Sequence, residues 1–342
     1  MQPFSYHRAD SAEHALQAAL ADTPQHGLPP TAAPGQFIAG GTTILDLMKL
    51  DVMRPRRLVD INPLSQARGQ AIEANAQGIR LGALARMAEA AEHPLIRRDY
   101  PVIADSLKLA ASAQLRNMAS LGGNLLQRTR CLYFRNTSWA ACNKRNPGSG
   151  CAALEGVNRQ HAVLGTSADC IATYPGDFAQ ALIALDASVE IQGADGQKTL
   201  PFAKLHRQPG DTPHIETVLA PGDLITAITV PAGPWTRRSL YLKIRDRESY
   251  QFALASAAVA LAMDGDTVRE ARIALGGVAT VPWRAREAEA ALQGKRLDET
   301  LAAAAAETAF ADARPHEHNA FKVTLGKRTL ERALLSAAKL EV

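Results

Sequence analysis

The spacing of apolar positions changes several times along the chain, and each change marks an element. Ser11-Ala12-Glu13-His14-Ala15-Leu16 opens a helix with Ser11 as N-cap. A Pro/Gly-rich loop is expected from Pro24 to Gly35. Phe37-Ile38-Ala39-Gly40-Gly41-Thr42-Thr43-Ile44-Leu45 reads as a strand running into a glycine turn, then a helix to Lys49. Leu58-Val59-Asp60-Ile61 and Ile79-Arg80-Leu81-Gly82 read as short strands. Helices are expected at Met87–Ala91 and Val102–Leu109, followed by a second glycine turn, Ser120-Leu121-Gly122-Gly123-Asn124. From Gln127 to Thr173 periodicity is weak and turn residues are frequent, as in Asn146-Pro147-Gly148-Ser149-Gly150. A helix over Asp177–Leu185 and a strand over Ser188–Gln192 restore regular structure.

The pattern shifts again near residues 225–235. Leu240–Ile244 reads as a strand. Ala253–Met263 and Ala271–Leu275 read as antiparallel strands about a turn at Asp264-Gly265-Asp266, the first also being compatible with a helix. Beyond Trp283 the chain is alanine-rich, with helices expected at 285–292, 297–310 and 320–340. No internal repeat is visible.

Composition narrows the function classes. The 342 residues are 46% hydrophobic and 21% charged, an ordinary globular balance with room for two or three domains. The net charge of +4 arises from 38 basic and 34 acidic residues that are mixed along the chain, which argues against a nucleic-acid track. The opening residues have no secretory pattern and no window approaches a membrane span. The four cysteines, Cys131, Cys142, Cys151 and Cys170, all fall within 40 residues, which points to a local thiolate site.

Phosphate recognition needs clustered backbone N–H groups and an approach that a Cβ would block, and glycine pairs at strand-to-helix turns supply both. Gly40-Gly41-Thr42 and Gly122-Gly123-Asn124 are two such pairs. Neither is the spaced G-x-G-x-x-G of a Rossmann site. In context, Ala39-Gly40-Gly41-Thr42 and Ser120-Leu121-Gly122-Gly123-Asn124 resemble the two pyrophosphate loops of the FAD subunits of molybdenum hydroxylases. That family includes xanthine dehydrogenase, carbon monoxide dehydrogenase and bacterial aldehyde oxidoreductases. The usual threonine opening the second loop is Ser120 here.

The resemblance implies an α+β chain. A two-lobed FAD-binding fold of the vanillyl-alcohol-oxidase (PCMH) type is expected over 1–228, with lobes at about 1–56 and 57–228. A C-terminal domain of small antiparallel sheet and helical bundle would cover 229–342. It implies FAD contacts from Ala39, Gly40, Gly41, Thr42, Thr43, Ser120, Gly122, Gly123 and Asn124. It further implies that Asp177, in Tyr174-Pro175-Gly176-Asp177, meets the ribityl or ribose hydroxyls, and that Lys243 and Arg247 lie on a segment approaching the isoalloxazine. No catalytic side chain is expected, since the flavin carries the chemistry.

In simpler members of that family the aspartate follows the second glycine loop closely. Here 52 residues separate Asn124 from Asp177, and they hold all four cysteines. The intervening gaps of 10, 8 and 18 residues match no C-x-x-C pattern, so spacing alone leaves zinc, an iron–sulfur cluster, two disulfides and inert thiols open. The passage from Cys142 to Cys151, and its continuation Asn158-Arg159-Gln160-His161-Ala162-Val163-Leu164-Gly165, resembles the cluster-bearing insert in FAD subunits of periplasmic aldehyde oxidoreductases. That resemblance implies a [4Fe–4S] cluster on Cys131, Cys142, Cys151 and Cys170, within an insert over about 127–173. Lys144, Arg145 and Arg159 are cationic neighbours that would help the thiolates ionise. Tyr133, Phe134 and Trp139 are either a shield for the cluster or the small core of the insert.

By the same resemblance the partners are a large molybdenum-cofactor subunit that oxidises an aldehyde and a small subunit with [2Fe–2S] clusters. An external acceptor would receive electrons from this chain's FAD. Export to the periplasm with a signal-bearing partner is expected, the cytoplasm being the alternative. Two other readings stay open: a stand-alone flavin oxidase of vanillyl-alcohol-oxidase type, and a non-enzymatic zinc-bearing assembly subunit. His316-Glu317-His318 reads as a solvated turn, His206 and His214 have no assigned role, and no G-x-S-x-G is present. Arg245-Asp246-Arg247-Glu248 is either a solvated face or lies near the flavin or a partner interface.

Overall fold

A computed structural model describes residues 1–21, 30–66 and 69–342. The first half of the loop expected from Pro24 to Gly35, residues 24–29, lies outside the described residues. Three sheets organise the rest. The first is parallel: β1 (Ser5–Arg8), β2 (Gly35–Ile38) and β3 (Arg57–Asp60), in the order β1-β3-β2. Ser11 caps the helix Ala12–Leu20, its side chain accepting from His14 N at 3.1 Å. Ala15, Leu16 and Ala19 of that helix are buried in a core with Val59. Because β3 is the central strand, the first lobe runs to about residue 61. The expected lobe boundary at 57 falls at the start of that strand.

The second sheet is antiparallel: β4 (Ile72–Asn75), β5 (Gly78–Gly82), β6 (Ser188–Gly193), β7 (Gly196–Pro201) and β8 (Leu224–Pro231), in the order β4-β5-β8-β6-β7. The central strand β8 lies between β5 and β6 and ends at Pro231, three residues beyond the expected boundary at 228. Helices Met87–Glu92, Pro101–Lys108 and Phe178–Ala184 contribute to the core of this lobe.

The third sheet, β9 (Ser239–Ile244), β10 (Ala255–Asp264), β11 (Thr267–Gly276) and β12 (Trp283–Arg284), is antiparallel in the order β12-β11-β10-β9. The ambiguity over Ala253–Met263 is settled as strand, since β10 pairs on both edges. Its first eight residues are all buried because helix Phe178–Ala184 and the last helix, Phe321–Ala338, both pack against it. Burial on two faces yields a continuous apolar run instead of alternation. Alanines at Ala255, Ala257, Ala258 and Ala260 leave room for helices to pack closely. The helices Arg286–Leu292, Glu299–Ala309 and Phe321–Ala338 complete the C-terminal region. Among the described residues no helix is long and apolar enough to cross a membrane.

The cysteine-bearing segment has little regular structure, only a helical turn at Leu132–Arg135. Its second half is stitched to the C-terminal region. Val163 N and Leu164 N both donate to Val278 O, and Arg314 N donates to Val163 O. Lys322, fully buried on the last helix, donates to the carbonyls of Gln160 at 3.0 Å, His161 at 3.1 Å and Gly277 at 2.6 Å. The ammonium therefore has one acceptor for each of its three protons.

Candidate functional site

The two glycine turns converge on one large cavity of about 700 Å³. Its walls include Ala39, Gly40, Gly41, Thr42, Thr43, Ser120, Gly122, Gly123, Asn124 and Asp177, drawn from positions far apart in the chain. The turns contribute differently. In the first, which links β2 to helix Ile44–Lys49, Gly41 adopts φ +72° and its carbonyl accepts from Leu45 N at 3.1 Å. The amides of Gly40, Gly41, Thr42 and Thr43 have no partner among the described residues. In the second, the amides are already engaged. Gly122 N donates to Ala83 O at 2.8 Å, Gly123 N to Ser120 Oγ at 3.2 Å and Asn124 N to Ser120 O at 2.9 Å. The expectation that both turns offer bare amides is therefore corrected: the second begins a short helix, Leu121–Leu125, that uses its own.

Space is what the second turn supplies. A Cβ on Gly123 would meet only Ser120 Oγ, at 2.9 Å, and otherwise stand in open space beside the cavity. Asn124 Oδ1 is buried without a partner. Free backbone amides beside a glycine-lined wall suit a diphosphate ester such as that of FAD, while the unpaired Asn124 Oδ1, an acceptor, suits a hydroxyl or N–H donor. A Cβ on Gly40 would come within 1.9 Å of Met118 O, so this glycine lets the two lobes touch.

Asp177 precedes helix Phe178–Ala184 and is buried. Its Oδ1 accepts from Tyr241 OH and its Oδ2 from Lys243 Nζ, each at 2.7 Å. Burial pushes the Asp177 carboxyl upward, partly offset by Lys243 and Tyr241. Lys243 itself does not line the cavity. It sits behind Asp177 and donates also to Leu109 O at 3.0 Å, so the aspartate stands between Lys243 and the cavity. Arg247, Tyr250 and Phe252 do line the cavity, and the segment 245–252 is tied to the insert. Arg159 pairs bidentately with Asp246, both bonds 2.8 Å, and the Arg130 guanidinium lies over the Phe252 ring at 4.7 Å.

Several cavity residues escaped sequence reasoning. His206 is half-buried against Tyr174 and Phe202, with Nε2 3.0 Å from Leu125 O, and desolvation lowers it to about 4. Arg128, Lys144 and Glu216 form a buried ionic group in the same wall. Desolvation would raise Glu216, but Arg128 and Lys144 together hold it below the ordinary carboxylate range. No local motif announces any of these residues, because their partners lie tens of positions away.

The four cysteines gather around a second, small cavity, with Tyr133, Phe134, Asn143, Lys144 and Ala172 among its walls. All four thiols are unpaired, so the two-disulfide reading is overturned. The turn Asn146–Gly150 brings Cys142 and Cys151 together as an antiparallel pair. Gly148 and Gly150 take φ +82° and +90°, and Asn143 N and Gly150 O bond at 2.7 Å. Burial pushes Cys131 up to about 12 and Cys170 up to about 11, and raises Cys151 too. Such thiols become thiolates only when a cation takes the place of their protons. Backbone amides already point at the sulfurs, those of Phe134 and Tyr133 at Cys131 and that of Ala172 at Cys170. His161 Nε2 lies 3.2 Å from Cys131 Sγ. Among the described residues no three His, Cys, Asp or Glu side chains converge as a single ion requires. Four sulfurs around one small cavity, three of them desolvated and met by backbone N–H donors, fit a polynuclear iron–sulfur group better than one zinc.

Of the three cations near the cysteines in sequence, only Lys144 faces the cysteine cavity. Arg145 is engaged by the carbonyls of Tyr133 and Phe134, both at 2.7 Å, and of Trp139, while Arg159 is at the surface with Asp246. Tyr133 and Phe134 wall the cavity, whereas Trp139 is 46% exposed and packs edge-on against Tyr133.

Comparison with known proteins decides the family. Residues 2–233 match the FAD binding domain in molybdopterin dehydrogenase, and residues 240–337 match the CO dehydrogenase flavoprotein C-terminal domain. This chain belongs to the FAD-binding subunits of the molybdenum hydroxylases. It is 47% identical to the aldehyde oxidoreductase FAD-binding subunit PaoB of Escherichia coli, over 98% of this chain and 99% of that one. It is 24% identical to the glyceraldehyde dehydrogenase medium chain of Sulfolobus acidocaldarius, over 87% and 84%. Among solved structures, carbon monoxide dehydrogenase from Hydrogenophaga pseudoflava shares the fold at a TM-score of 0.73 and 24% identity, covering 98% of this chain and 97% of that one. Quinoline 2-oxidoreductase from Pseudomonas putida 86 does so at 0.74 and 23%, covering 99% and 98%. As in that family, the chain is an α+β FAD subunit with a C-terminal antiparallel sheet, and it serves an oxidoreductase.

Proposed function

We propose that this chain is the FAD- and [4Fe–4S]-containing electron-transfer subunit of a heterotrimeric, molybdenum-dependent aldehyde oxidoreductase. Its partners would be a large molybdenum-cofactor subunit and a small subunit bearing [2Fe–2S] clusters, which would pass electrons to this chain's FAD for delivery to an external acceptor. The reading rests on one observation above the rest: a glycine-lined nucleotide cavity and a four-cysteine cavity adjoin, with Lys144 and Ala172 in the walls of both. The near full-length match to an aldehyde oxidoreductase FAD-binding subunit supports the aldehyde assignment.

Within this reading FAD supplies the electron-accepting ring system. The chain's own residues bind and orient it. Amides of Gly40 to Thr43 would hold the diphosphate, Gly123 would leave room for it, and Asp177 would accept from sugar hydroxyls. Cys131, Cys142, Cys151 and Cys170 would hold the iron. The test is anaerobic addition of an aromatic or aliphatic aldehyde to the purified complex, followed by visible absorption. Flavin bleaching with loss of the broad iron–sulfur absorption is expected. Aldehyde oxidation that leaves this chain's flavin oxidised would refute the reading.

A further inference from the structure

A buried ionic triad stands between the two cavities. Glu216 Oε2 accepts from Arg128 Nε at 2.5 Å and Oε1 accepts from Lys144 Nζ at 3.1 Å, while Lys144 Nζ also donates to Pro213 O at 2.9 Å. The side chains of Arg128, Glu216 and Lys144 are only 8%, 19% and 12% exposed. All three line the nucleotide cavity, and Lys144 alone of them also lines the cysteine cavity.

Two cations on one carboxylate leave a surplus positive charge away from water, an arrangement that is expensive unless something negative answers it. Arg128 and Glu216 would already make a neutral pair, and Arg128 further rests on the Phe134 ring at 4.5 Å. The charge left over is that of Lys144, a residue that lines the cavity of the four cysteines, where Asp169 also stands.

We propose that Lys144 is a positioning residue for the iron–sulfur site: held by Glu216 in the wall shared with the nucleotide cavity, its ammonium raises the cluster's midpoint potential. The proposal rests on the reading that the four cysteines bind iron. Reduction adds one electron, and so one negative charge, to a group already bounded by four thiolates. A fixed cation nearby stabilises the reduced form more than the oxidised one. No bond forms or breaks, and the electron comes from a mediator or from the neighbouring centres.

The experiment uses the intact complex carrying Lys144→Met, Lys144→Arg or Glu216→Gln. Iron and flavin are quantified first, and a wild-type complex without iron on this subunit defeats the underlying reading, and the proposal with it. The midpoint is then measured by dye-mediated titration followed by low-temperature electron paramagnetic resonance. For Lys144→Met the reduced-to-oxidised ratio at fixed potential should fall about tenfold, equivalent to roughly 59 mV for one electron. Lys144→Arg should stay near wild type. Glu216→Gln should shift in the opposite direction, because it leaves both cations unopposed. An iron-replete Lys144→Met complex at the wild-type midpoint overturns the proposal. If that variant does not load iron, Glu216→Gln decides: an upward shift supports the role of Lys144, and no shift or a downward one refutes it.

Discussion

Lys243 Nζ lies 2.7 Å from Asp177 Oδ2, with the two side chains 1% and 4% exposed, so an ion pair locks β9 of the C-terminal sheet to the helix that faces the nucleotide cavity. Removing one partner of a buried pair leaves an uncompensated charge and typically costs about 3–5 kcal/mol. Lys243→Met should therefore lower the melting temperature of the complex and its flavin content together. Asp177→Asn combined with Lys243→Met should recover part of the stability without recovering flavin. A single Lys243→Met variant with full stability and full flavin would show that the pair is dispensable.

The glycines separate fold from ligand. Gly123→Ala places a methyl group beside the cavity, with only Ser120 Oγ to displace, and alanine favours the helix Leu121–Leu125 by up to about 1 kcal/mol. Flavin affinity should drop at least tenfold, about 1.4 kcal/mol, while the stability of the flavin-free protein changes little, because the helix gain is offset by about 1 kcal/mol from the disturbed Ser120 cap. Gly40→Ala should lose both, because its methyl group would strike Met118 O. Differential scanning fluorimetry with flavin quantification reads both variants.

Much of this site is legible in the chain because its signals are local. The glycine pairs, the Asp177 segment and the cysteine cluster all stand out as short stretches. Strand β8 was blurred into a boundary, since Leu224–Pro231 pairs only with segments over thirty or a hundred residues away. That Asp177 comes between Lys243 and the cavity is not legible in the sequence, because the two residues are 66 positions apart. Arg128, Lys144 and Glu216 were invisible as a group, since two buried cations acquire meaning only from a carboxylate more than seventy residues later.

Acid should weaken the nucleotide lobe through His206. Burial lowers this imidazole from an ordinary value near 6.5 to about 4, so the unfolded chain takes up its proton first. The stability it contributes is fully present above pH 6.5 and is lost as pH falls toward 4, a change on the order of 3 kcal/mol. The difference between wild type and His206→Gln in denaturant unfolding between those two pH values should show it. Parallel pH profiles for the two proteins would exclude His206 as the cause.

Lys322 anchors the insert from the far end of the chain. Lys322→Met would leave the Gly277 carbonyl without a donor, at about 1–3 kcal/mol, while the carbonyls of Gln160 and His161 would keep Thr173 Oγ1 and Asn319 Nδ2 as their remaining donors. Amide exchange over residues 158–164 should accelerate in this variant while that of β5 and β6 stays slow. Uniform acceleration across the chain would mean that Lys322 supports the whole fold instead of the insert.

The most direct test is the flavin, iron and acid-labile sulfide content of this subunit, taken from the purified complex, in wild type and with Cys151→Ser. The wild-type subunit should carry one FAD with about four irons and as many sulfides, the stoichiometry of a four-thiolate cluster, and Cys151→Ser should lower the iron while FAD remains. A subunit that binds FAD but holds zinc or no metal, or whose iron is indifferent to the cysteine, would contradict the account.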